Sequence, residues 1–155
     1  MRALLKLSFA LVAVAGSAPL GAQNANSLAG AWERFSLKDS SGTAQQPPAG
    51  AAFLIMTADG FYSQMTIPAG RAKVDKPLAE YTKEELLARF QGVEARRGRY
   101  TISGNTISRT YEAAANPNQE GGAPQVQQFR IEGDVLILSS PRAGNMSEAR
   151  FRRAK

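Results

Sequence analysis

Arginine recurs inside three stretches that otherwise have the composition of β-strands. Arg34 follows Trp32 by two residues, Arg96 precedes Tyr100 by four, and Arg109 stands between Ile107 and Tyr111. Alternate residues of a strand share a face, so if Trp32, Tyr100 and Ile107 point into a core, the three arginines and Ser36 point there with them. An unpaired guanidinium in a dry interior is very costly and needs a carboxylate, water or an anionic ligand. The chemistry on offer is recognition of an acid: a cavity with an apolar floor and Arg34, Arg96 and Arg109 near its mouth. Tyr62, Gln64, Tyr100, Tyr111 and Phe129 complete the candidate lining, with Phe61 and Met65 as the alternative to Tyr62 and Gln64. Phe35 and Leu37, on the opposite face of the first strand, carry the competing reading in which that strand turns Arg34 to water.

Catalytic options are few. The chain has no histidine and no cysteine, which removes thiolate nucleophiles, imidazole bases and the usual zinc and copper ligands; no metal and no cofactor is expected. Glu33, Glu94 and Glu112 are the acids at strand positions, and no spacing among them argues for a two-carboxylate mechanism. Tyr100 and Tyr111 are the candidate proton donors, although a barrel tyrosine commonly belongs to the core with its hydroxyl satisfied.

The elements that must position these residues follow from periodicity. Leu28 to Leu37 reads as a first strand holding the only tryptophan, and Lys38 to Gly50 as a loop. Residues 52–57 and 61–67 flank an Asp59-Gly60 turn, and both faces of the first of these runs are apolar, so its inner face stays open. Thr82-Lys83-Glu84-Glu85 is a capping box that starts a short helix running to Gly92, with Leu86, Leu87 and Phe90 as its apolar stripe. So short a helix is expected to pack on the body of the protein or cover one end. Two further hairpins follow, 96–102 with 106–112 and 125–131 with 135–139, joined by a long loop from Ala113 to Pro124 expected to be mobile at a barrel mouth; residues 147–153 form the last strand. Eight strands in meander order with one helix predict an all-β, eight-stranded antiparallel up-and-down barrel, closed by pairing Trp32 with the C-terminal strand.

The N-terminus has two positive charges ahead of the apolar run Leu7 to Ala15 and then small residues, the pattern of a secretory signal peptide. Cleavage is expected after Ala22, with Ala18 and Ala25 as neighbours of similar size, and residues 23–27 as a disordered tail before a barrel domain over 28–155. The expected location is periplasmic or secreted, with no membrane span. Removing residues 1–22 takes away Arg2 and Lys6 and no acid, so the formal charge falls from +6 to +4. That modest, scattered charge argues against nucleic acid as a partner.

The same residues carry a family resemblance. Gly30-Ala31-Trp32 matches the glycine, any residue, tryptophan signature of the lipocalin (calycin) superfamily. The whole chain after the signal segment resembles the bacterial and fungal lipocalin-like domain family. The matching pieces are Gly-Ala-Trp-Glu, Thr57 to Gly60, the helix from Thr82 to Gly92, Gly98-Arg99-Tyr100-Thr101, Glu112 with Asn116-Pro117-Asn118, and Phe129 to Asp134. The resemblance implies a ligand-sized cavity and makes Gly30, Trp32 and Arg153 the closure of the barrel, with the arginine stacked on the tryptophan. Arg96 and Arg97 stand where the family tends to have an aromatic residue, and Arg109 and Thr110 where it often has histidine, so histidine-dependent chemistry does not carry over.

Three functions fit. The first is an exported protein that binds a small hydrophobic or amphipathic molecule, a carboxylate if the arginines line the cavity; the second is an isomerase, cyclase or dehydratase using the same cavity; the third is an envelope protein with a filled core and an interaction role.

Overall fold

A computed structural model describes residues 25–38, 41, 43–45, 50–71, 73, 75–142 and 145–155. The expected signal segment, residues 1–22, lies outside the described residues.

The strands are β1 (Gly30–Lys38), β2 (Ala44–Gln45), β3 (Ala52–Met56), β4 (Phe61–Thr66), β5 (Glu94–Ser103), β6 (Thr106–Ala114), β7 (Gln125–Glu132), β8 (Val135–Arg142) and β9 (Asn145–Arg153). Eight of them pair antiparallel in chain order, and β1 also pairs with β9, which closes the barrel with Trp32 opposite Arg153. The two-residue β2 prolongs the sheet beside Leu37 and Lys38, inside the stretch whose Gly, Ser and Pro content predicts loop alone. Short turns gather at one end, at 57–60, 103–106 and 132–135, and the long connections gather at the other.

The end with the short turns is the floor. Here the first strand starts at Gly30 where the sequence predicts Leu28, and α1 (Ala25–Leu28) forms one helical turn, overlapping at 25–27 the tail that the sequence predicts over 23–27, of which residues 23 and 24 lie outside the described residues. Its Leu28 is fully buried, and the Trp32 Nε1 donates to the Leu28 carbonyl at 2.9 Å. Burying a leucine is worth about 1.5–3 kcal/mol, enough to order a turn that propensity alone would not. Arg153 lies over the Trp32 ring at 4.4 Å and donates to the carbonyls of Ala29 and Ser27 at 3.0 and 3.3 Å. A Cβ on Gly30 would stand 2.5 Å from its Nη1, so the glycine makes room for the clamp. Above this floor Leu54, Met56, Tyr100, Ile107, Phe129, Leu136 and Phe151 form one core.

Strand faces follow from the register. Ala52, Leu54 and Met56 face inward while Phe53 and Ile55 face out, which settles the inner face of β3. Their partners Thr66, Gln64 and Tyr62 therefore also face inward. Alternation on β5 and β6 puts Arg96, Gly98, Tyr100 and Ile102 inside, with Ile107, Arg109 and Tyr111.

The helix α2 (Lys83–Phe90) starts at Thr82 with the expected capping box. Its apolar stripe, however, does not pack as expected: Leu87 is 68 % and Phe90 58 % exposed. The connection folds on itself instead, through the Lys76–Glu85 ion pair at 2.7 Å, the Arg89 bond to the Tyr81 hydroxyl at 2.8 Å and the Arg71 bond to the Arg89 carbonyl at 2.9 Å.

A polar cup above a filled floor as the candidate functional site

Where the strands pass above the core, the inward residues change from apolar to polar. Gln64 and Thr66 come from β4, Glu94 and Arg96 from β5, Arg109 and Tyr111 from β6, Gln125 and Gln127 from β7, and Ser140 from β8. Arg109 is the deepest, at 3 % exposure. It donates from Nη1 to the side-chain Oε1 of Gln64 at 2.9 Å and from Nη2 to the Oε1 of Gln125 at 2.9 Å, with a further bond to the Oε1 of Gln127. Gln127 in turn donates to the Ser140 hydroxyl. No carboxylate takes part, so a full charge is held by amide dipoles and the face of Tyr62, 5.3 Å away. Burial accordingly pulls the Arg109 pKa down from its ordinary value, while the oxygens of Tyr111 and Tyr62 oppose the fall and Arg96 adds to it.

Arg96 is next toward the rim. Its Nη1 donates to the Tyr111 hydroxyl at 3.1 Å, and that hydroxyl donates to Gln125 at 2.7 Å, so the two arginines belong to one network. The Nη2 of Arg96 meets Glu94 at 2.5 Å. Burial lowers its pKa, but Glu94 and Tyr111 outweigh that and hold it above the ordinary value. Arg34 stands on β1, opposite the buried Phe151 of β9, and so faces inward. Burial lowers its pKa, offset in part by Glu94 from β5. As β1 and β5 are not neighbours in the sheet, that interaction crosses the interior.

The cup leaves donors unused. Among the described residues the buried side-chain polar atoms without a hydrogen-bond partner are the Nε atoms of Arg34, Arg96 and Arg109 and the Oγ1 of Thr66. All four belong to inward-facing residues of this upper zone. A depression of about 320 Å³ beside the cup is lined by Gln64 and Arg96 together with Ser63, Met65, Ala95, Arg97 and the alanines 113–115; Met65 pairs with the outward Phe53, and Ser63, Ala95 and Arg97 alternate with inward residues, so most of it belongs to the outer wall of β4 and β5.

The remaining expected site residues divide. Tyr62 is at the boundary: it is 3 % exposed, its hydroxyl donates to the Thr110 carbonyl at 3.2 Å, and burial pushes its pKa up to about 12 against the opposing pull of Arg109. Tyr100 and Phe129 lie in the packed core below the cup, and the Tyr100 hydroxyl donates to the Thr57 carbonyl at 2.6 Å, at the floor. The floor is therefore filled rather than the wall of a cavity. Ser36 is turned away. A bulge between Arg34 and Ser36 shifts the register, so Ser36 pairs with Arg150 and Leu37 with the inward Ala149. Sequence reading missed Thr66, Gln125, Gln127 and Ser140, and took Glu94 only as an acid at a strand position. The glutamines were within reach, since they share strand parity with Phe129.

No group of His, Cys, Asp or Glu among the described residues could hold a metal, and no helix among them is long and apolar enough to cross a membrane. No family model matches the chain, and no curated protein matches it; the resemblance to the lipocalin-like domain family rests on the sequence pieces alone. Solved structures similar to it include an uncharacterized protein from Bacteroides eggerthii, 13 % identical over 81 % of this chain and 98 % of that one with a TM-score of 0.48. Another is the fluorescent protein UnaG, 11 % identical over 83 % of this chain and 98 % of that one with a TM-score of 0.42; a point mutant of UnaG gives 0.41. At these values the likenesses say nothing about what the barrel holds. What the chain's own geometry defines is a closed antiparallel barrel with a packed floor and a cationic cup.

Proposed function

We propose that this protein is an exported binding protein for a small, partly apolar molecule carrying an acidic group, with the acid held in the cup and the apolar part toward the rim. The observation that carries the reading is the set of buried donors without partners on Arg34, Arg96, Arg109 and Thr66. An unsatisfied buried polar group costs about 1–3 kcal/mol, and more when charged, so one built four times into one zone is accounted for by a ligand that satisfies it. The filled floor keeps the ligand in the upper half. Export is supported by the charged, then apolar, then small-residue pattern of residues 1–22, which makes the periplasm or the medium the place of action. The tyrosines favour binding over catalysis, since the hydroxyls of Tyr62, Tyr100 and Tyr111 are each engaged with a protein acceptor.

Calorimetric titration of the protein from Gln23 onward tests this. Decanoate is expected to bind and decanol to bind far more weakly. Arg34→Leu should cost decanoate about 1.5–3 kcal/mol, the worth of a hydrogen bond to a charged group. Equal affinity for acid and alcohol sinks the reading.

A further inference from the structure

Among the described residues the cup holds one acid of its own, Glu94. Glu94 opens β5 at the rim, two residues before Arg96 and on the same face, and it pairs across to Thr66, whose buried hydroxyl lacks a partner. Its carboxylate meets Arg96 at 2.5 Å, and it is the acid whose field reaches Arg34 across the barrel. The pair is unequal. Arg96 has a side-chain exposure of 13 % and is fixed by the Tyr111 hydroxyl and ring, whereas Glu94 is 55 % exposed and, among the described residues, makes its side-chain hydrogen bond and ion pair with Arg96 alone. Swinging Glu94 into water therefore costs one half-exposed ion pair, while Arg96 stays in place with its donors presented.

We propose that Glu94 is a tethered competitor, occupying in the empty barrel the position of the ligand's acid group and leaving when an anion arrives. This rests on the acid-binding reading of the cup. An incoming carboxylate, sulfonate or phosphate takes over the Arg96 contact, comes within reach of Arg34 and Thr66, and meets repulsion until Glu94 has turned out. Glu94 thus sets a threshold: neutral molecules gain nothing from displacing it, and weak or singly contacting anions gain too little.

The test is calorimetric titration of the protein from Gln23 onward with decanesulfonate, whose charge does not change with pH. Wild type is compared with Glu94→Gln, Glu94→Ala and Glu112→Gln. The last removes an equal charge from the outer face, where Glu112 pairs with Arg99 at 3.8 Å. Both Glu94 variants should bind about five- to tenfold tighter than wild type, as expected for release from a partly exposed ion pair plus loss of repulsion, and Glu112→Gln should match wild type. Tightening of the same size in Glu112→Gln shows a general charge effect and overturns the proposal. Unchanged or weaker binding in the Glu94 variants also overturns it, because Glu94 then orients Arg96 and does not compete; the acid-binding reading survives that result as long as wild type binds decanesulfonate. Absence of binding in every variant removes both.

Discussion

A Cβ on Gly98 would stand 1.9 Å from the carbonyl oxygen of Thr110. The two lie across the β5–β6 ladder next to a bulge, where Gly98 pairs with Tyr111 and Arg97 with Ala113, leaving Glu112 unopposed. The same Thr110 carbonyl accepts the Tyr62 hydroxyl, and Tyr62 is the partner of Gly98 on β4. The missing side chain thus lets three strands close together just below the cup.

Gly98→Ala should therefore be costly for so small a change. Backbone cannot yield as a flexible side chain does, so the loss is expected at the upper part of the overpacking range, about 3 kcal/mol. Urea unfolding followed by Trp32 fluorescence measures it, and a loss below about 0.5 kcal/mol contradicts the packing described.

Arg109 depends on its acceptors. Gln127→Leu removes one of three carbonyl oxygens from a buried guanidinium without a carboxylate, and should cost about 2 kcal/mol, within the range for hydrogen bonds to charged groups. The same substitution at Gln119, which lies on an exposed turn, should be nearly neutral. Equal effects at the two positions contradict the network.

Tyr62 should ionise well above the ordinary tyrosine value. Burial raises its pKa to about 12 from 10.0, so between those values the folded protein holds a proton that the unfolded chain has released. Stability from this group is complete below pH 10 and falls as pH rises toward 12. An alkaline titration of phenolate absorbance in wild type and Tyr62→Phe resolves the step. A difference spectrum that titrates at the ordinary tyrosine value contradicts the burial.

Leu87 and Phe90 should matter little to folding. Because both are mostly exposed, Leu87→Lys and Phe90→Lys are expected to shift unfolding by less than about 0.5 kcal/mol. Losses of about 2 kcal/mol or more in urea would mean that the stripe is buried against the barrel after all.

Much of this architecture was legible because each level of the sequence points the same way. The Asp59-Gly60 turn, the capping box at Thr82 and the alternation of Arg96, Gly98, Tyr100 and Ile102 each specify local structure that the barrel then uses. Pairing of Trp32 with Arg153 was also foreseeable, since a barrel joins its first strand to its last. What escaped has physical causes. A bulge adds one residue without a sequence mark, and the one on β1 carried Ser36 to the wrong face. Amphipathic periodicity shows that α2 has an apolar stripe but not that the stripe finds a partner. Tyr100 shares strand parity with Arg96, yet depth along the barrel separates core from cup, and parity does not encode depth.

If the cup holds an acid, native mass spectrometry of the protein purified gently from its own cells should reveal it. The expected result is an additional mass that is lost on denaturation, belongs to an anionic molecule, and is retained poorly by Arg34→Leu. A folded barrel that carries no such mass and takes up neither decanoate nor decanesulfonate when they are added contradicts it.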